Sequence, residues 1–211
     1  MEYSFSRGIH VAHFYSSFSE QKEVGLPFLR EGLDLSEHCL FTVCDHSPDD
    51  WYFELQAYGV DVANERQRGA LLVLDEAQTR SSGEFNSIRL ARDLWRMIQD
   101  LLTRFNGVRL AREVPWQGDG ALTVDHLCQM ETAGSLLFED ADVRALCQYD
   151  LDQHPPAVIH TALRTHPVVI VGGRMQPNPF YEVESIVANE PFYYGSNASD
   201  EDVAKMLGAL R

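Results

Sequence analysis

The chain has 211 residues, of which 45% are hydrophobic and 23% charged, so it can build a sizeable core, and wholesale disorder is excluded. Seventeen Lys and Arg stand against 32 Asp and Glu, a formal net charge of −15. Such a surface repels phosphate backbones and anionic bilayers, so direct binding to nucleic acid or membrane is not expected.

In chain order, HVAHFY (His10 to Tyr15) reads as a first strand. A helix follows from Phe18 to Leu35, with Val24, Phe28, Leu29 and Leu33 at helical spacing. CLFTVC (Cys39 to Cys44) is a second, buried-looking strand. Ser47 then caps a helix that has Pro48 in its first turn and is closed by Gly59. ALLVLD (Ala70 to Asp75) is a third strand. Ser87 to Phe105 carries an apolar stripe of Ile88, Ala91, Leu94, Trp95, Ile98, Leu101 and Leu102.

Gly107 to Glu113 makes a fourth strand, Thr123 to Leu137 an amphipathic helix, and VRALCQYD (Val143 to Asp150) a fifth strand. Pro155 to Thr165 is a helix, and PVVIVGG (Pro167 to Gly173) a sixth strand whose glycine pair suggests a turn at positive φ or a close backbone approach. NPFYEV (Asn178 to Val183) and the tail look peripheral. Strand–helix–strand repetition with unbroken apolar strands predicts an α/β three-layer sandwich around a mostly parallel sheet. One domain is expected over 1–190. Residues 191–211 form an acidic tail with a short helix capped by Ser199, and exposed Met206, Leu207 and Leu210 would make that helix a docking element.

The four cysteines form no CxxC pair, the first residues lack a signal-peptide pattern, and no apolar run approaches the ~20 residues that span a bilayer. A reducing cytoplasm is the expectation.

Parallel sheets bind ligands beyond the carboxyl ends of their strands. Those ends carry His13 to Tyr15, Cys44 to His46, Asp75-Glu76, Glu113 to Trp116, Tyr149-Asp150 and Gly172-Gly173. A phosphate loop needs GxxxxGK[ST] at the first strand–helix junction. The chain has Tyr15-Ser16-Ser17-Phe18-Ser19-Glu20-Gln21-Lys22 there, with no glycine before Gly25 and an acidic residue that repels phosphate. No GxGxxG, GxSxG or HExxH is present either, so nucleotide hydrolysis, dinucleotide binding and common hydrolase templates find no support.

His10 to Tyr15, LPFLREGL (Leu26 to Leu33), CLFTV, GVRLAREVPW (Gly107 to Trp116), CQYD (Cys147 to Asp150), ALRTHPVVIVGG (Ala162 to Gly173) and NPFY (Asn178 to Tyr181) together resemble the MEDS domain, the methanogen/methylotroph DcmR sensory domain. The resemblance spans roughly residues 8 to 185. It implies a RecA/KaiC-like fold without a Walker A loop; no enzymatic activity and no resident cofactor are expected, the alternative being a degenerate nucleotide- or metal-dependent enzyme that uses His13, Asp45, His46 and Glu113. It also implies sensing of small organic compounds such as hydrocarbon derivatives.

No helix-turn-helix or kinase segment accompanies it. Output would then run through a regulatory partner such as a kinase or a transcription regulator, through a homodimer, or through a longer protein of which this is a piece. The ligand-binding residues expected are His13, Tyr15, Asp45, Glu113, Trp116, Tyr149 and Asp150. Glu113 stands near the Walker B carboxylate of RecA-like proteins, and either hydrogen-bonds a ligand or pairs with Arg109 or Arg112.

Two other readings stay open. One is a scaffold for protein partners with no small ligand. The other is a zinc or haem sensor built from His13, His46 and Cys147, which requires three strand ends to converge. The set around His38, Cys39, Cys44, Asp45 and His46 looks metal-like, but Cys39 and Cys44 point to opposite faces of one strand. His160 and His166 are six residues apart and read as packing or solvent-facing.

Overall fold

The computed structural model describes residues 3–76, 87–116, 123–184 and 200–210. Its elements are β1 (His10–Tyr15), α1 (Phe18–Asp34), β2 (His38–Val43), α2 (Pro48–Ala57), α3 (Val62–Gln67), β3 (Leu71–Asp75), α4 (Ser87–Leu102), β4 (Val108–Glu113), α5 (Val124–Phe138), β5 (Val143–Asp150), α6 (Pro156–Thr165), β6 (Val168–Val171), β7 (Arg174–Pro177) and α7 (Asp200–Ala209).

The seven strands form one sheet in the order β3-β2-β4-β5-β1-β6-β7. Its pairings are parallel except β6 with β7. Parallel strands are connected by crossovers that cover both faces. Here α1, α2 and α3 cover one face, where Val24, Phe28, Leu29, Trp51 and Leu55 pack on Val11, Phe41, Ala111 and Leu146. On the other face α4, α5, α6 and α7 bury Ile98, Leu127, Ile159, Leu163 and Leu207 against Val108, Ala12, Phe14, Tyr149 and Val169. This is the three-layer sandwich expected.

Local chemistry sets several boundaries. Ser47 accepts from the Asp50 amide at 3.2 Å, and the Asp50 carboxylate accepts from the Ser47 amide at 3.0 Å, a reciprocal cap that starts α2 with Pro48 behind it. Gly59, at φ 94, follows the end of that helix. Gly172 and Gly173, at φ 56 and 72, form the two-residue turn from β6 to β7. The positive-φ turn is therefore present, but the sixth strand is shorter than expected, and the antiparallel edge strand behind it was not anticipated.

The tail corrects the docking reading. Leu207 and Leu210 are buried against the α6 layer, with Met206 partly buried beside them, and the Gln176 amide donates to the Leu210 carbonyl. The helix therefore packs on the sandwich through the side chains that were read as exposed. Its expected cap, Ser199, and the boundary at 190 lie outside the described residues. Nor is Asn178 peripheral: its side-chain amide donates to the Leu163 carbonyl at 2.5 Å and the His166 carbonyl at 2.7 Å, closing the end of α6. Among the described residues, no helix is long and apolar enough to cross a membrane.

Candidate functional site

The turn from β1 to α1 is where a phosphate loop would sit, and two of its amides are bonded by the chain's own side chains. The Ser17 hydroxyl accepts from the Glu20 amide at 3.2 Å, and the Glu20 carboxylate accepts from the Ser16 amide at 2.9 Å. Lys22 pairs with Glu54 at 2.8 Å, on the outer surface of α1 and α2. That surface carries a groove of about 450 Å³ lined partly by Tyr3, Glu23, Pro27 and Tyr58, away from the strand ends.

The carboxyl edge is organised by Glu113, the last residue of β4, which is fully buried. Its Oε2 accepts from the backbone amides of Cys44 at 2.7 Å, Asp45 at 2.9 Å and His46 at 3.4 Å. Its Oε1 accepts from the Trp51 indole at 3.0 Å, the Gln21 amide at 3.0 Å and His46 Nδ1 at 3.1 Å. Gln21 also donates to Gln148 at 3.3 Å, and the Gln148 amide reaches His13 Nδ1 at 3.3 Å. A polar relay thus runs beneath α1 from His13 through Gln148 and Gln21 to Glu113 and the β2–α2 turn. Glu113 pairs with neither arginine considered for it. Arg109 is held by Glu37 and Glu31, and Arg112 bonds Glu76.

Strand parity sorts the remaining candidates. His13 and Tyr15 lie on the α1 side with Glu113, both buried. Asp45 is exposed at the β2–α2 turn, and His46 stacks on Phe18 with ring centroids 3.9 Å apart. Burial, then the charges of Glu113 and Asp45, pushes the Tyr15 phenol up, so it is neutral. Tyr149 registers with Phe14 and packs on the opposite side, fully buried, together with half-buried Trp116. Neither therefore shares a cleft with Tyr15. Asp150 accepts from the Asp152 amide at 2.8 Å and the Gln153 side chain at 3.0 Å, and so shapes the following turn. The sequence reading had not singled out Gln21, Trp51 and Gln148, although Gln148 stands in the CQYD run.

Burial lowers the pKa of His13 from 6.5 to about 3. An unfolded chain therefore takes up a proton below pH 6.5 that the folded chain refuses, and stability falls as pH drops from 6.5 toward 3. The limiting slope from one such group is about 1.4 kcal/mol per pH unit. His13→Gln, which keeps a polar group for Gln148, should flatten the decline of the urea midpoint over that window relative to the parent.

A second constellation lies across the sheet. His10 on β1, Glu131 on α5, Cys147 on β5 and His166 after α6 are all buried, with donor atoms within 4.8 Å of one another. The structure does not assemble the trio of His13, His46 and Cys147. His13 and His46 lie on the α1 side, whereas the Cys147 side chain is buried on the other side with Ala12 and Phe14. Cys39 points into the α1 layer, where its thiol reaches the Leu29 carbonyl at 3.5 Å, away from Cys44. His166 is neither solvent-facing nor simple packing, since it faces Glu131 at 3.5 Å.

The profile of the family described as MEDS, MEthanogen/methylotroph, DcmR Sensory domain, matches residues 9–167. No curated protein matches the chain. Among solved structures, a KaiC-like protein from the hyperthermophilic archaeon Pyrococcus horikoshii is similar with a TM-score of 0.58. The two are 14% identical over 79% of this chain and 73% of that chain. At that identity the likeness shows the fold alone, which is the KaiC-like one expected.

Proposed function

We propose that this chain, which belongs to the MEDS family of sensory domains, binds a small uncharged or cationic organic molecule at the carboxyl ends of β1 and β4. Occupancy would be passed to a regulatory protein, a kinase or a transcription regulator, through the β2–α2 turn. The single observation behind this reading is that the chain's own carboxylates accept from backbone amides at both the β1–α1 and the β2–α2 turn. Glu20 accepts from the Ser16 amide ahead of α1, and Glu113 accepts from the amides of residues 44–46. A phosphate would have to displace the exposed Glu20 carboxylate at the first turn or the buried Glu113 carboxylate at the second, and the chain's net charge of −15 opposes it.

The same geometry favours binding over catalysis. Six donors converge on the two oxygens of Glu113, leaving no acceptor capacity to orient an attacking water. The walls near it are aromatic or acidic: Phe18, His46 and Tyr15 beside Asp45. These suit an apolar or positively charged molecule.

A thermal-shift panel of small amines, alcohols and other hydrocarbon derivatives, run beside magnesium nucleotides, tests the proposal. A true ligand at a hundredfold excess over its Kd adds about 2.7 kcal/mol, a rise of several degrees. Asp45→Asn should weaken the cationic members of the panel selectively. Stabilisation by magnesium nucleotide, with none by any organic compound, would end the proposal.

A further inference from the structure

We propose that His10, Glu131, Cys147 and His166 bind one first-row divalent metal ion of the zinc class, enclosed between the sheet and α5–α6. The four donors come from four separate segments. His10 Nε2 lies 3.4 Å from Glu131 Oε2 and 3.4 Å from Cys147 Sγ. His166 Nε2 lies 3.5 Å from the same carboxylate oxygen, and Cys147 Sγ 3.6 Å from it. A tetrahedral ion with bonds of about 2.0–2.1 Å to nitrogen and oxygen and about 2.3 Å to sulfur has edges of roughly 3.3–3.6 Å. Four of the six donor separations already match those edges, and the other two lie within 4.8 Å.

The imidazoles are oriented from behind. The Ser135 hydroxyl donates to the Thr165 carbonyl at 2.6 Å, so its oxygen is left to accept from His10 Nδ1 at 2.8 Å. His166 Nδ1 donates to the Ala162 carbonyl at 2.9 Å. With the protons on Nδ1, both Nε2 atoms face the carboxylate and the thiol, the arrangement of metal-ligating histidines.

Lone pairs facing one another in a buried space need a positive charge between them. A proton on His10 would satisfy its contact with Glu131. It would leave His166 Nε2 as it stands, buried with no hydrogen-bond partner among the described residues. One ion at the centre meets the donors together.

Charge and donor type point the same way. A divalent ion with one thiolate and one carboxylate is neutral overall, which suits a buried site. A thiol ligates as the thiolate, so the ion binds by displacing the Cys147 proton, and affinity falls with decreasing pH. Two imidazoles, a thiolate and a carboxylate select zinc, cobalt or iron over magnesium and calcium. Four protein ligands close the shell, so the ion ties β1, β5, α5 and the end of α6 together and does not open a catalytic position. The site lies across the sheet from Glu113, and its fate is independent of the organic-ligand reading.

The test uses untagged full-length chain, loaded with zinc or cobalt at neutral pH and desalted. The expected result is one metal per chain, and a cobalt spectrum with tetrahedral d–d bands and a thiolate-to-cobalt charge-transfer band. Cys147→Ser should abolish that band, whereas Cys44→Ser should keep it. Ser135→Ala leaves all four donors in place and should weaken affinity about 10- to 100-fold. Less than a tenth of an equivalent retained after loading would overturn the proposal. So would a cobalt spectrum without the thiolate band, which decides the matter on the parent chain even if Cys147→Ser fails to fold.

Discussion

Glu113→Ala should lower the unfolding free energy by about 3–5 kcal/mol, read as a drop in the urea midpoint at unchanged slope. The Glu113 side chain is the common acceptor for the turn between β2 and α2, the Trp51 indole beneath it and Gln21 of α1. Truncation strands donors in a buried space, where each unmet group costs about 1–3 kcal/mol. Glu113→Gln keeps the volume but sets an NH2 group among donors, so it should fall between the parent and the alanine variant. A loss below about 1 kcal/mol for Glu113→Ala would mean that the turn holds its shape without this carboxylate. The relay could then not transmit occupancy.

Arg109→Ala should cost a similar amount, about 3–5 kcal/mol, by leaving a buried charge uncompensated. The guanidinium is fully buried beneath α1, bonded to Glu37 at 2.5 Å, Glu31 at 2.8 Å and the Phe28 carbonyl at 2.8 Å. Of these, Glu37 is buried and Glu31 partly exposed, so Glu37 carries most of the penalty, softened by its second contact to Arg144 at 3.0 Å. Arg109→Met, which fills the space without the charge, should lose nearly as much. Arg109→Met paired with Glu37→Gln should recover part of it in the same denaturation measurement. If the single and double variants lose equally, packing and not charge holds this corner. Gly32 adjoins it so closely that a Cβ there would come 2.6 Å from Arg109 Cδ.

The architecture was largely legible in the sequence, because parallel strands buried on both faces are continuous apolar runs. HVAHFY and VRALCQYD match β1 and β5 residue for residue. The edge strand RMQP carries no apolar period or β-branched residue, and VANERQ forms a single short helix, so neither announces itself. The family resemblance agreed with the profile match, which takes in the CQYD run and ends at residue 167, short of the VVIVGG and NPFY runs.

Legibility of the site failed at one step, the relative register of neighbouring strands. Tyr15 ends β1 and Tyr149 is next to last in β5, and the pairing of Phe14 with Tyr149 places the two tyrosines on opposite sides of the sheet. The same pairing puts Cys147 on the side of His10 and away from His13. His10, Glu131, Cys147 and His166 have no motif spacing, since they converge only once four segments are folded. Glu113 was visible as a strand-end carboxylate, but its six donors come from loops and helices far away in sequence.

Amide chemical-shift mapping tests the central claim most directly, using the strongest organic stabiliser and magnesium nucleotide as separate titrants. The proposed function predicts saturable shifts for the organic molecule at residues 44–46, Gln21 and Gln148, and none there for the nucleotide. Shifts from the nucleotide at Ser16 to Gln21, or organic-ligand shifts confined to the outer groove near Tyr3 and Tyr58, would contradict it.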